Sequence, residues 1–298
     1  MSNPRLLIVG ASGFLGQHIG RKAASAFDVY EADIATPPGK RGLAMDITSA
    51  ASVNAGFEWA APDAAILLAA ISDIDECERR PELAQAVNVR GAEHVAEACA
   101  RSRARLVFTS SAAVFNGTRH GYNESDPPTP MSVYGTTKAL AEDTISRKLP
   151  SALILRLALA IGFAEGSGTN AMLNKFAARL RAGESVSLPD YEYRNPIDAE
   201  TLSCFLLELL NCGGAAGIFH VGATESISRF ELGVRLAEKM GLSPRLVHPQ
   251  TQPLPGRAPR GPDHFLLTGR LRATCRTPVP SCSEIIERAI HGSPQSNS

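Results

Sequence analysis

"RLLIVGASGFLGQH", residues 5–18, is the stretch on which the fold turns. "RLLIV" (5–9) is an apolar run of strand length. Gly10, Gly13 and Gly16 follow it, spaced three apart, and a helix is predicted from about Phe14. A glycine turn between a strand and a helix lets backbone N–H groups approach a pyrophosphate, and the helix N-terminus favours its negative charge. Glycines also serve plain turns, so the motif gains weight from its neighbours in the chain. "DVYEAD" (28–33) reads as a second strand closing on Asp33. An acid at that distance can accept hydrogen bonds from a ribose diol, although a turn aspartate is the plain alternative. A carboxylate opposes a 2′-phosphate, which favours NAD; the nearby Lys40 and Arg41 leave NADP open.

Outward from this unit, strands are predicted at "AAILLAA" (64–70), "RLVFTS" (105–110), "ALILRLA" (152–158) and "GIFHV" (217–221). Helices are expected over about 82–101, 133–148 and 170–182. Continuous apolar strands between helices give an α/β class, a doubly wound parallel sheet covered on both faces. Ser228 and Glu231 form a capping-box pattern before a helix running to about Met240, with Gly241 as its stop. The stretch 243–263 carries six prolines and reads as an irregular loop, and 292–298 as a frayed tail.

Composition narrows the function. The 298 residues are 44% apolar, and 30 basic side chains balance 30 acidic ones. That balance argues against an electrostatic nucleic-acid partner or an anionic membrane surface. No apolar run reaches spanning length and the N-terminus lacks a signal-peptide pattern, so a cytoplasmic protein is expected. The six cysteines form no C-x-x-C and the histidines no ligand spacing, so no metal site is expected.

"SVYGTTKALAED" (132–143) holds the chemistry. At about 100° per residue, Tyr134, Lys138, Ala141, Ile145 and Leu149 share one narrow helical sector. Lys138 thus falls inside the apolar stripe, where an ordinary solvated lysine is out of place, though its stem can snorkel. An ammonium beside a phenol stabilises the phenolate, so Tyr134 is expected to titrate below its usual value and to act as an acid or base on a carbinol/carbonyl pair. Ser111, just past the strand in "FTSSAAVF" (108–115), can hold the substrate oxygen, or can be a loop serine. Ala69 and Ala70 let a cofactor pass close over the strand ends, or are core alanines. Asp46 and Ile47 in "AMDITS" can flank an adenine, or are loop residues.

These motifs together resemble the extended branch of the short-chain dehydrogenase/reductase superfamily. The carriers are the Gly10, Gly13 and Gly16 turn, Asp33, "AMDITS", "LAAIS", Asn88 in "VNVRG", "SSAAVF" and the Tyr134-x-x-x-Lys138 pair. The second half is similar to the dTDP-4-dehydrorhamnose reductase group, through "YRNPIDAETLSCFLLELL" and "LPGRAPRGPDHFLLTGRL". Ser111-Ala112-Ala113 and the Arg194-Asn195-Pro196 run stand nearer the nucleotide-sugar epimerases.

The resemblance implies a seven-stranded Rossmann core over 1–160. It implies a small, mainly substrate-binding lobe over 161–298, with about 195–222 returning to the core. It implies Ser111, Tyr134 and Lys138 as the catalytic set. Gly10, Gly13, Phe14, Leu15, Gly16, Asp33, Asp46, Ile47, Ala69, Ala70, Asn88, Tyr134 and Lys138 would contact NAD or NADP. Ser111, Asn170 and Arg194 would contact a nucleotide sugar. Arg257 and Arg260 either meet a diphosphate or brace the proline-rich loop. The expected activity is reduction of a 4-keto nucleotide sugar. A nucleotide-sugar epimerase with held NAD and a regulatory subunit like the methionine adenosyltransferase β subunit are the alternatives. A homodimer is expected by analogy.

Overall fold

Leu6, Leu7, Ile8 and Val9 are all buried, yet they serve two different cores. Leu6 and Ile8 pack on one face of a sheet, and Leu7 and Val9 on the other. The same alternation recurs at Leu153 against Ile154, and at Val107 against Leu106 and Phe108. Successive strand side chains point to opposite faces, so a strand without polar alternation is one covered on both sides.

The computed structural model describes residues 3–39, 41–165 and 172–291. β1 (Arg5–Val9) leads through the glycine turn into α1 (Phe14–Ala23). β2 (Asp28–Asp33), β3 (Gly42–Ala44), α2 (Ala50–Ala60), β4 (Ala64–Leu67), α3 (Ile74–Arg79) and α4 (Pro81–Ala84) follow. Next come α5 (Ala92–Ser102), β5 (Arg105–Ser111), α6 (Val133–Lys148) and β6 (Leu153–Leu157). The chain continues as β7 (Leu159–Ile161), α7 (Met172–Arg181), β8 (Val186–Pro189), β9 (Tyr193–Arg194), β10 (Pro196–Asp198), α8 (Ala199–Asn211) and β11 (Gly217–Val221). It ends with β12 (Ile227–Ser228), α9 (Arg229–Lys239), β13 (Val247–Gln250), β14 (Asp263–His264), α10 (Gly269–Thr274) and α11 (Cys282–His291).

The seven-stranded sheet runs β11-β6-β5-β4-β1-β2-β3, with every pairing parallel. The strand order reverses between β1 and β4, and a crevice opens there beyond the carboxyl ends. This is the α/β, doubly wound Rossmann architecture. β11 extends the sheet beside β6, and α8 packs on α1, so part of the second half lies on the sheet. Outside it stand the three-stranded β12-β9-β14 sheet and the β13-β8 pair, with α7 and α9 packed on β8.

Three elements differ from expectation. The strand at 64–70 stops at Leu67, because the Leu68 and Ala69 N–H groups both turn to the Val9 carbonyl, at 2.9 and 3.0 Å. The helix expected over 82–101 is broken: a π-helical stretch, Gln85–Gly91, joins α4 to α5. The wide turn carries Asn88, whose amide bonds the Ile71 backbone and Thr137. The proline-rich segment is not wholly irregular, since β13 pairs with β8 despite Pro249. A two-stranded pair leaves each strand an open edge, where a missing N–H costs nothing. Among the described residues no helix is long and apolar enough to cross a membrane.

Candidate active site

A cavity of about 690 Å³ occupies the crevice, lined by the glycine turn, the ends of β4, β5 and β6, the start of α6, and the second-half residues facing them. Gly10 adopts φ +92°, and a Cβ there would stand 2.6 Å from the Ala69 nitrogen. A Cβ on Gly16 would stand 2.5 Å from the Gly10 and Ala11 carbonyl oxygens. Both positions therefore exclude a side chain, Gly10 on backbone conformation as well. α1 follows Gly13 without a side-chain cap and with no acid in its first turn. Its first N–H groups have no partner within the helix, and Gly13, Phe14, Leu15 and Gly16 all face the cavity. An uncapped positive helix end behind a wall without side chains fits a pyrophosphate.

Asp33 lines the same end. Its carboxylate accepts from the Ser12 N–H at 2.9 Å and the Ile34 N–H at 2.8 Å. The acid thus holds the glycine turn while keeping lone pairs for a ribose. Ala69 and Ala70 also line the cavity. Arg41 pairs instead with Asp28 at 3.1 Å and lies over the Tyr30 ring. Lys40 lies outside the described residues.

Three residues expected at the cofactor do not line the cavity. Ile47 is a core residue, packed against Gly91. The Asp46 carboxylate accepts from the Thr48 N–H and hydroxyl, closing a turn. Asn88 is buried and pins Ile71, so it acts on the cavity wall from behind. All three sit in local patterns that sequence alone does not separate from ligand contacts. Asn170 lies outside the described residues.

Ser111, Tyr134 and Lys138 share the cavity. The Ser111 Oγ accepts from the Ala113 N–H at 3.1 Å, which caps a short 3₁₀ turn and fixes the serine at the strand end. Ser132 caps α6 by accepting from the Gly135 N–H at 3.1 Å, which sets the start of the helix and so places Tyr134 in its first turn. Lys138 is 3% exposed, on the same buried face as Ala141 and Ile145. The apolar-stripe reading of this helix holds.

The electrostatics correct one expectation. The Tyr134 hydroxyl is not pulled down; burial pushes it up to about 12, while a hydrogen bond with Ser111 acts in the opposite sense. Burial lowers the Lys138 ammonium to about 8, and Glu142 opposes that fall. The Lys138 Nζ lies 4.3 Å from the centre of the Phe108 ring. Desolvation of the phenol thus outweighs any neighbouring charge in the protein alone. At neutral pH Tyr134 carries its proton and Lys138 its charge.

The far wall is rich in arginine. Glu192, 1% exposed, accepts from Arg257 at 2.9 Å and Arg194 at 3.5 Å. Arg194 lines the cavity, but its guanidinium also bonds the carbonyls of Tyr193, Pro262 and Gly261. Arg260 forks onto Asp75, at 3.1 and 2.7 Å, so Arg257 and Arg260 brace their loop. Arg229, at the start of α9, also lines the cavity, and it makes no ion pair among the described residues. Its Nη2 reaches only the Met172 sulfur, at 3.5 Å. It is absent from the sequence-based expectation, because a lone arginine after a capping serine looks like an ordinary first-turn residue.

The chain is similar along most of its length to several known proteins. A dTDP-4-dehydrorhamnose reductase of Mycobacterium tuberculosis is 31% identical over 268 residues, covering 86% of this chain and 82% of that protein. The methionine adenosyltransferase 2 subunit beta of Xenopus tropicalis is 27% identical over 261 residues, covering 86% of this chain and 78% of that protein. The crystal structure of a dTDP-4-dehydrorhamnose reductase from Bacillus anthracis, in complex with NADP, superposes with a TM-score of 0.89 at 25% identity, covering 98% of this chain and 100% of that one. The family model described as RmlD substrate binding domain matches residues 4–293, and the chain belongs to that family.

Proposed function

We propose that this chain is an NAD(P)-dependent oxidoreductase that reduces the ketone of a 4-keto nucleotide sugar, of which dTDP-4-dehydrorhamnose is the first candidate. The observation that carries the reading is that Ser111, Tyr134 and Lys138 line one cavity with the uncapped glycine turn. When bound, a reduced nicotinamide supplies hydride to the carbonyl carbon. Ser111 holds the carbonyl oxygen, and Tyr134 gives that oxygen its proton. Lys138 presents a positive charge beside the site, which stabilises the phenolate left behind until solvent returns the proton. A phenol that keeps its proton at neutral pH suits donation, the direction a reduction needs.

The core through about residue 160 is the dinucleotide half. The remainder, apart from about 195–222, is mainly the sugar-nucleotide half. Within it Arg229 replaces Arg257 and Arg260 as the candidate for the diphosphate, since those two are already paired. Asp33 favours NAD over NADP.

The test is direct. Purified protein given NADH or NADPH and dTDP-4-dehydrorhamnose should consume the reduced cofactor in step with the ketone. An epimerase would instead purify with held NAD and consume none. The 27% identity to the Xenopus subunit favours a second reading, a regulatory partner; co-purification with a synthetase and no turnover on any keto sugar would support it.

A further inference from the structure

The short helix α3 follows the cavity wall at Ile71, Ser72 and Ile74. Asp73 caps it by accepting from the Glu76 N–H at 2.9 Å. Asp75 and Glu78, three apart and so neighbours on the helix, both bond other elements. Glu78 accepts from the Val133 N–H at 2.8 Å, a first-turn donor of α6 with no partner inside its own helix. That bond and the packing of α3 on α6 fix α3 beside the start of the helix that carries Tyr134. Asp75 reaches the second half of the chain. Its carboxylate accepts from the Ala258 N–H at 2.7 Å and from the Arg260 fork at 3.1 and 2.7 Å.

Ala258 and Arg260 belong to the strap 251–262, which joins β13 to β14. Residues 251–256 are exposed. Further on, Pro259, Arg260 and Gly261 line the same cavity as Ile71 and Ile74. Within the second half the strap is held by Glu192, which accepts from Arg257 at 2.9 Å. Arg194 holds it too, donating to the Gly261 and Pro262 carbonyls at 3.1 and 3.3 Å. Asp75 links it to α3. An exposed ion pair contributes little. This one is a two-pronged charge-assisted contact, with the arginine side chain 12% exposed and a backbone N–H on the same carboxylate.

We propose that Asp75 is a positioning residue: it clasps the strap to α3 and so sets the spacing between the sugar-side wall and the helix that carries Tyr134. Asp75 stands outside the cavity lining, while Ile74 beside it and its partner Arg260 are part of that lining. It therefore acts through the strap and touches neither substrate nor cofactor. With the clasp closed, Pro259, Arg260 and Gly261 are held against the bound sugar nucleotide. With it open, that wall loses its hold on α3 and the sugar nucleotide leaves sooner. The inference deepens the proposed function and rests on its reading of this cavity.

Backbone hydrogen exchange, read by mass spectrometry on the whole protein, tests the clasp without turnover. In Asp75→Ala and Arg260→Met the strap amides should exchange at least about threefold faster than in wild type, while the peptide carrying Val133 keeps its wild-type rate. Arg260→Met leaves the Ala258 N–H its acceptor, so faster exchange in that variant reports release of the strap rather than loss of one bond. In steady-state turnover of Asp75→Ala, KM for the 4-keto nucleotide sugar should rise about fivefold or more, with kcat within about threefold of wild type and NADH affinity close to wild type. Asp75→Glu, which keeps the carboxylate, should recover part of that loss. The double variant Asp75→Ala with Arg260→Met should lose no more than the worse single variant, because both act through one contact. Strap exchange at the wild-type rate in both single variants would overturn the proposal, as would faster exchange with an unchanged KM. Faster exchange in the variants of a protein that turns over no keto sugar would support the clasp and count against the proposed function alone.

Discussion

The Ser12 N–H donates to the Asp33 carboxylate at 2.9 Å, so the acid ending β2 and the glycine turn after β1 act as one unit. In the proposed cofactor site that unit would set negative charge against a 2′-phosphate, and Arg41 is turned away onto Asp28. The wild-type protein should bind NADH about tenfold more tightly than NADPH, a difference of about 1.4 kcal/mol. Asp33→Asn, which keeps one acceptor for the turn, should narrow that ratio. Cofactor fluorescence titration measures both. Tighter NADPH binding by the wild type would show that the carboxylate does not set the preference.

Arg229 leads to a second expectation. Arg229 lines the cavity and makes no ion pair among the described residues, whereas Arg194, Arg257 and Arg260 are already engaged. Arg229→Gln should weaken a nucleoside diphosphate by about tenfold or more, the scale of a charge-assisted hydrogen bond. It should leave the parent nucleoside and NADH nearly unaffected. Calorimetry on the three ligands separates the outcomes, and equal losses for nucleoside and diphosphate would argue against a phosphate contact.

Gly16 offers a steric test. A Cβ there meets two carbonyl oxygens at 2.5 Å, and neither is the end of a flexible side chain. Gly16→Ala should lower the melting temperature and cost at least about tenfold in dinucleotide affinity, while Gly13→Ala, whose Cβ would meet its nearest atom at 3.4 Å, should be milder in stability. Thermal melts with and without NADH compare them.

How legible the molecule is from sequence differs by region, for physical reasons. β1, β2 and α6 follow from patterns that one chain displays: a continuous apolar run, a glycine turn leading to a strand that closes on an acid, and an apolar stripe along 133–148. β9, β12 and β14 are two residues each, too short to show a period, and exist through pairing across the chain. The catalytic candidates are legible because Lys138 breaks its own stripe. Asp46, Ile47 and Asn88 do not line the cavity because turn closure, core packing and loop bracing use those residue types in the same motifs. The direction of the Tyr134 shift is not legible, since it depends on how deeply the phenol is desolvated.

Two buried histidines should govern acid stability. Burial lowers both His220 and His264 to about 3. The unfolded chain protonates each near 6.5, so below that pH it binds more protons than the folded chain, and stability falls with pH down to about 3. Each histidine should cost about 2 kcal/mol between pH 7 and pH 5. Urea unfolding at the two pH values measures the sum. His220→Gln should flatten the dependence; a variant with the wild-type slope would mean that this imidazole does not carry the effect.

The most direct measurement is turnover of Tyr134→Phe with NADH or NADPH and a 4-keto nucleotide sugar. The phenyl ring keeps the packing and loses the hydroxyl that would give the proton and that bonds Ser111. The predicted result is a fall in kcat of at least about a hundredfold, the scale of general acid catalysis, with cofactor affinity and melting temperature close to wild type. Full turnover in this variant would contradict the assignment of Tyr134 as the proton donor, and with it the central claim.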